Sequence, residues 1–64
     1  MSKLKSYREQ RGLSQSGLAT RSGISVRMIQ HYEQGDKDIN KAAVLTVKKL
    51  ADALNVKIED LIAD

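Results

Sequence analysis

Apolar residues recur at three- and four-residue steps along most of the 64-residue chain, and alternation at two-residue steps is missing. Leu4 and Tyr7 share one inward face, which predicts a first helix from Ser2 or Lys3 to Arg11. Gly12 would end it in the left-handed C′ position, and Leu13 would drop into the core. Ser14 is placed to cap a second helix with Leu18 and Ala19 inward, stopped by Gly23. Ser25 is placed to cap a third, with Ile29 and Tyr32 inward, ended by Gly35. A polar loop, Asp36-Lys37-Asp38, follows. Asp38 or Asn40 is expected to cap a fourth helix whose inner face holds Val44, Val47, Leu50, Ala51 and Leu54. Asn55 can take left-handed backbone and end that helix. Val56 and Ile58 lead into a short fifth helix, Glu59 to about Ala63, with Leu61 and Ile62 for burial. The prediction is an all-α chain, a compact five-helix bundle forming one domain over residues 1–64.

One glycine sits against this pattern. Gly17 falls inside the second helix, at the N3 position after Ser14, where Glu or Gln would complete a capping box; in a helix interior glycine costs roughly 1 kcal/mol relative to alanine. Either it permits close approach of a neighbouring helix or a phosphate, or it is simply tolerated.

The second and third helices, Gln15 to Gln34, are each about two turns long and joined by a sharp turn at Gly23-Ile24-Ser25. Leu18, Ala19, Ile24, Ile29 and Tyr32 face inward. With steps of 100° per residue, Arg27 falls almost opposite the core, Gln30 and His31 flank it, and Val26 lies nearer the rim. Two short helices at a tight turn, the second showing a polar outer face, form the pattern of a helix-turn-helix whose second helix enters the DNA major groove.

Charge adds to this picture once it is divided along the chain. Residues 1–34 carry six Lys or Arg against two Glu, and residues 35–64 carry five basic against six acidic side chains, within an overall +3. The positive excess lies in the half that holds the candidate reader, as phosphate binding requires, although ordinary solubility would also account for it. A chain this short buries only about 60% of its unfolded surface, so the core is small. Cysteine is absent, which removes disulfides and thiolate metal sites and fits a reducing cytosol; a lone His31 builds no zinc site. The longest apolar run is Ala42 to Leu45, far short of a membrane span, and the N-terminus lacks the apolar segment of a secretory signal. Location in the cytoplasm is expected.

Nothing in the pattern favours catalysis. Nucleophilic Cys, a Gly-rich phosphate loop and metal-ligand spacing are all missing, and no cofactor is called for. Glu59-Asp60 suits helix-start charge better than an acid–base pair. Ser14, Ser22 and Ser25 suit caps and turns better than a triad with His31.

From Leu4 to Ile62 the chain resembles the phage repressor/Cro-type helix-turn-helix family, often called XRE-like. The resemblance rests on Tyr7-Arg8, RGLSQ, Leu18-Ala19, SGIS at the turn, Ile29 with Tyr32-Glu33 and Gly35, and LADALNV before the last helix. It implies five helices, with the second and third as the reading unit, and sequence-specific binding of double-stranded DNA in transcriptional control, more often repression. The family's groove-facing positions fall on Val26, Arg27, Gln30 and His31, with Gln15 opening the second helix. Arg27 would bond guanine O6 and N7, Gln30 adenine N6 and N7, Val26 a thymine methyl, and His31 guanine N7 or a phosphate. The resemblance also implies a structural ion pair, Arg8 with Glu33, and a homodimer on a palindromic site. Its surface would be the end of the fourth helix with the fifth, including Val56, Ile58 and Ile62, although Ile58 and Leu61 also suit closure of the core.

Phosphate contacts are expected from Gln15, Ser16 and the free N–H groups that open the second helix, with Ser14 as a further candidate and Arg11, Lys37 and Lys41 as weaker ones. The loop after the third helix carries Asp36 and Asp38, where relatives are often rich in Lys and Arg, which weakens its case for gripping the backbone. The other reading of the whole chain is a protein-interaction module, an antitoxin-like partner for example, built on the same fold.

Overall fold

Each of the first three helices begins on a serine. In the computed structural model, which describes residues 2–62, Ser2 Oγ accepts the Lys5 N–H at 3.1 Å and opens α1 (Lys3–Gln10). Ser14 Oγ accepts from Gly17 N–H at 2.9 Å and opens α2 (Gln15–Ser22), and Ser25 Oγ accepts from Met28 N–H at 3.2 Å and opens α3 (Val26–Gln34). Each hydroxyl satisfies an N–H that the first helical turn leaves without a backbone partner. A 3-10 turn (Ile39–Lys41), α4 (Val44–Leu54) and α5 (Ile58–Leu61) complete the order, and no strand occurs among the described residues.

The helices stop as abruptly as they start. After α1, Leu13 N–H reaches Arg8 C=O at 3.1 Å and Gly12 N–H reaches Glu9 C=O at 3.0 Å, a Schellman arrangement built on the left-handed Gly12 (φ 69°). The same arrangement follows α4. There Asn55 is left-handed (φ 57°), while Val56 N–H bonds Ala51 C=O at 3.0 Å. At α5 the Asp60 carboxylate accepts the Lys57 N–H at 2.9 Å.

Leu4, Leu18, Ile29, Val47, Leu50, Ala51, Leu54 and Leu61 form the buried core, with Tyr7, Leu13, Ala19, Ile24 and Tyr32 half-buried around it. Each large side chain fully buried there contributes roughly 1.5–3 kcal/mol. Helix α2 packs against both α3 and α4, while α1 rests on α3 and α5, so the α2–α3 pair is held by the rest of the bundle. Arg11 strengthens this frame: its Nε donates to Leu54 C=O at 2.8 Å, a cation at the end of α4 where the helix dipole favours one.

The region before α4 departs from the sequence reading. Asp38 does cap, but its carboxylate takes the Asn40 N–H at 2.9 Å and so serves the 3-10 turn. The chain then runs extended through Ala42 and Ala43, and α4 starts at Val44 without a side-chain cap. Val44, expected on the inner face, is 73% exposed, and its neighbour Leu45 is 63% exposed. A helical side chain leans toward the N-terminus, so Val44 at the first position projects past the packed part of α4. The last helix begins at Ile58, one residue before the expected Glu59, and Leu61 is its final residue; the expected end at Ala63 lies outside the described residues.

Gly17 has no neighbouring helix against it. A Cβ built there would meet Ser14 Oγ at 3.2 Å and Leu13 Cδ2 and Cβ at 3.5 and 4.0 Å, side-chain atoms of the preceding turn. Capping boxes routinely carry a Cβ at this N3 position beside the cap hydroxyl. Gly17→Ala is therefore expected to raise stability by about 0.5–1 kcal/mol, read as a higher midpoint of thermal unfolding. An unchanged or lower midpoint would show that the cap gives way.

Candidate nucleic-acid interface

Because Ile29 is fully buried and Tyr32 is half-buried against the core, the opposite side of α3 faces out. Arg27 is exposed there, with Val26, Gln30 and His31 half-buried beside it. This matches the angular order that the 100° step dictates: the residue farthest from the core is the most accessible. All four sit on the two turns after Ser25, at the end of the helix held by its N-cap.

The turn itself is braced from within. Ser22 is buried, and its Oγ accepts Ile24 N–H at 3.1 Å, while Gly23 is left-handed at φ 75° with open space where a Cβ would stand. That conformation suits glycine and disfavours residues with a Cβ. It carries the chain from α2 to α3 in three residues and sets the angle at which α3 is offered.

Behind α3 the structure brings Arg8 and Glu33 together. Arg8 Nε lies 2.7 Å from Glu33 Oε2 and Nη2 lies 3.0 Å from Oε1, a two-pronged bond between α1 and α3. Nη1 donates to Leu13 C=O at 2.8 Å. The side chains are only 12% and 4% exposed, so this pair is largely shielded from water. The Glu33 hydrogen bond holds the Arg8 pKa above its ordinary, already high value, against an opposing effect of burial.

The network continues toward the surface. Gln15 Nε2 donates to Glu33 Oε1 at 3.1 Å, and Gln30 Nε2 donates to Gln15 Oε1 at 3.3 Å. Gln15 thus has its amide engaged at both ends by neighbours on α3. Sequence alone placed Gln15 at the head of α2 but did not reveal these links, because they join residues 18 and 15 positions apart. Arg11 was likewise unforeseen as a cap on α4, being 43 positions from Leu54.

The phosphate candidates lie at the start of α2 and just past the end of α3. Ser14, with its hydroxyl occupied as a cap on the Gly17 N–H, and the exposed Ser16 lie at the start of α2, whose Gln15 and Ser16 N–H groups point out of the helix end. Lys37 is exposed just past α3, between two exposed carboxylates. Of these, Asp36 Oδ2 lies 3.3 Å from His31 Nδ1. Among the described residues no cluster of His, Cys, Asp or Glu is arranged to hold a metal ion, and no helix is long and apolar enough to cross a membrane.

Comparison with known proteins agrees with this geometry. A family model described as helix-turn-helix matches residues 4–61. The HTH-type transcriptional repressor RghR of Bacillus subtilis (strain 168) is 43% identical over 58 residues, which cover 91% of this chain and 42% of the repressor. The chain therefore spans less than half the length of that relative. Among solved structures, the restriction-modification controller protein C.AhdI from Aeromonas hydrophila aligns with a TM-score of 0.83 at 30% identity, covering 94% of this chain and 86% of the controller.

Proposed function

This chain belongs to the helix-turn-helix family of the phage repressor/Cro type, and on that premise we propose that it binds double-stranded DNA sequence-specifically and regulates transcription, as a repressor rather than an activator. The observation that carries this reading is the outer face of α3, where Arg27 stands exposed opposite the buried Ile29, with Val26, Gln30 and His31 around it. A helix of this width fits the major groove, and these residue types match base edges there. Arg27 bonds guanine bidentately, Val26 touches a thymine methyl, and His31 donates to guanine N7 or a phosphate. Gln30 meets adenine, and Gln15 stands behind it. Backbone grip comes from the N–H groups, Ser16 and Ser14 at the head of α2, with Lys37 adding charge.

One such helix reads only a few base pairs. The proposal therefore includes a homodimer on a palindrome with half-sites about 34–36 Å apart. The half-buried Val56, Ile58 and Ile62 at the end of α4 and on α5 are its contact surface. The protein acts by binding, in the cytoplasm, without a reaction of its own.

Selection of duplexes from a random pool tests this. The wild-type chain is expected to enrich a defined sequence, with an affinity that falls steeply as salt rises because counterions are released from neutralised phosphates. Arg27→Ala should cost about 1–3 kcal/mol and relax preference at a single position. A uniform loss across all sequences would make Arg27 a phosphate contact. Absence of duplex affinity even at low salt would move the function to protein–protein contact.

A further inference from the structure

The hydrogen bonds behind α3 run in one direction, and that direction has a consequence for base choice. Glu33 is a carboxylate met by Arg8 at 2.7 and 3.0 Å, so its oxygens only accept. Gln15 must therefore turn its NH₂ toward Glu33, at 3.1 Å, which leaves its oxygen facing Gln30. Gln30 in turn must present an N–H to that oxygen, at 3.3 Å. We infer that the Arg8–Glu33–Gln15 chain fixes the amide polarity of Gln30, so that Gln30 offers its oxygen and one N–H to the groove and is specific for adenine. This rests on the DNA-reading role proposed for α3.

The chemistry follows from the edges of the bases. An untethered glutamine can turn its amide over and satisfy either adenine or guanine. Anchored through one N–H, Gln30 keeps an acceptor and a single donor. That set matches adenine, which presents the N6 amine as donor and N7 as acceptor. Guanine presents two acceptors, N7 and O6, and thymine an acceptor and a methyl, so each would face the Gln30 oxygen without a donor. Cytosine satisfies the oxygen through its N4 amine but gives the N–H nothing. Gln15 is then a positioning residue that touches no base, and the buried ion pair sets specificity as well as holding α3.

The test is selection from a random duplex pool with the wild-type chain, Gln30→Met and Gln15→Met, each also melted to establish its fold. Gln30→Met identifies the base pair that Gln30 reads, as the one whose preference disappears. In the wild type that base is expected to be adenine. In Gln15→Met, with the amide of Gln30 released, preference for adenine over guanine at that pair should fall by about tenfold while the other positions keep theirs. Guanine or thymine preferred there by the wild type overturns the relay, whatever the fold of Gln15→Met. So does a Gln15→Met profile as sharp as wild type, or one weakened equally on all sequences, which would make Gln15 a phosphate contact. A wild-type chain that enriches no sequence overturns the DNA-reading function itself, and the relay with it.

Discussion

Replacing Arg8 by alanine is expected to unfold the domain. The guanidinium makes three hydrogen bonds at 2.7, 2.8 and 3.0 Å, two of them to a Glu33 side chain that is only 4% exposed. Removing it strands a buried carboxylate and the Leu13 carbonyl. Breaking one partner of a buried pair costs about 3–5 kcal/mol, as much as the roughly 3–5 kcal/mol that a single small core supplies. Thermal unfolding followed by circular dichroism should show little or no cooperative transition at 25 °C. A double change, Arg8→Met with Glu33→Leu, should recover part of the loss, because apolar groups of similar volume leave no charge unpaired even though Leu13 C=O and the Gln15 amide still lose a partner. A normal melting temperature for Arg8→Ala, together with a selective loss of DNA binding, would instead make Arg8 a DNA contact. The pH dependence has a definite sign. A basic group whose pKa is raised on folding stabilises fully below its unfolded value and loses that contribution only as pH climbs through the folded one. Since the Glu33 hydrogen bond raises Arg8 further, its contribution stays constant through neutral pH and, on the alkaline side, is lost in strong alkali.

Ile29→Ala is the second large effect. Ile29 is fully buried on α3, within the core that also takes Leu18 from α2 and Leu50 and Leu54 from α4. Deleting this much side chain in a packed interior costs about 2–5 kcal/mol, the larger values where the cavity fails to collapse. Ile29 also holds the face opposite Arg27, so the loss falls on the joint that orients α3. The variant is expected to be largely unfolded on its own and to regain part of its structure with excess operator, since 100-fold saturation adds about 2.7 kcal/mol to the folded state. Calorimetry with and without DNA measures both terms. A melting temperature within a few degrees of wild type would show that the core repacks around the gap.

Local signals and the helical period explain how much was legible beforehand. The serine caps, the left-handed Gly12, Gly23, Gly35 and Asn55, and the apolar spacing of Leu18, Ile29, Val47, Leu50 and Leu54 act over one to four residues, so they can be read along the chain. The outer position of Arg27 follows from the same arithmetic once Ile29 is known to face in. The start of α4 resisted this reading because the expected cap serves another element. Asp38 serves a short 3-10 turn, the extended pair Ala42-Ala43 displaces the helix start, and Val44 is left beyond the packed layer. Periodicity places a residue on a face, but it does not say whether another element covers that face.

Sequence by itself thus determined five helices, their limits to within a residue or two at most ends, and the residues on the outer face of α3, because these depend on short-range backbone preference and the 100° step of the helix. Its likeness to a known family also suggested pairing Arg8 with Glu33. Only the tertiary structure decided how the polar groups of different helices engage. Gln15 is held between Glu33 and Gln30, and Arg11 caps α4. Such contacts join residues far apart in the chain, whose distance and donor direction depend on how the helices pack. For the same reason the orientation of the Gln30 amide, unlike its position, is a property of the fold.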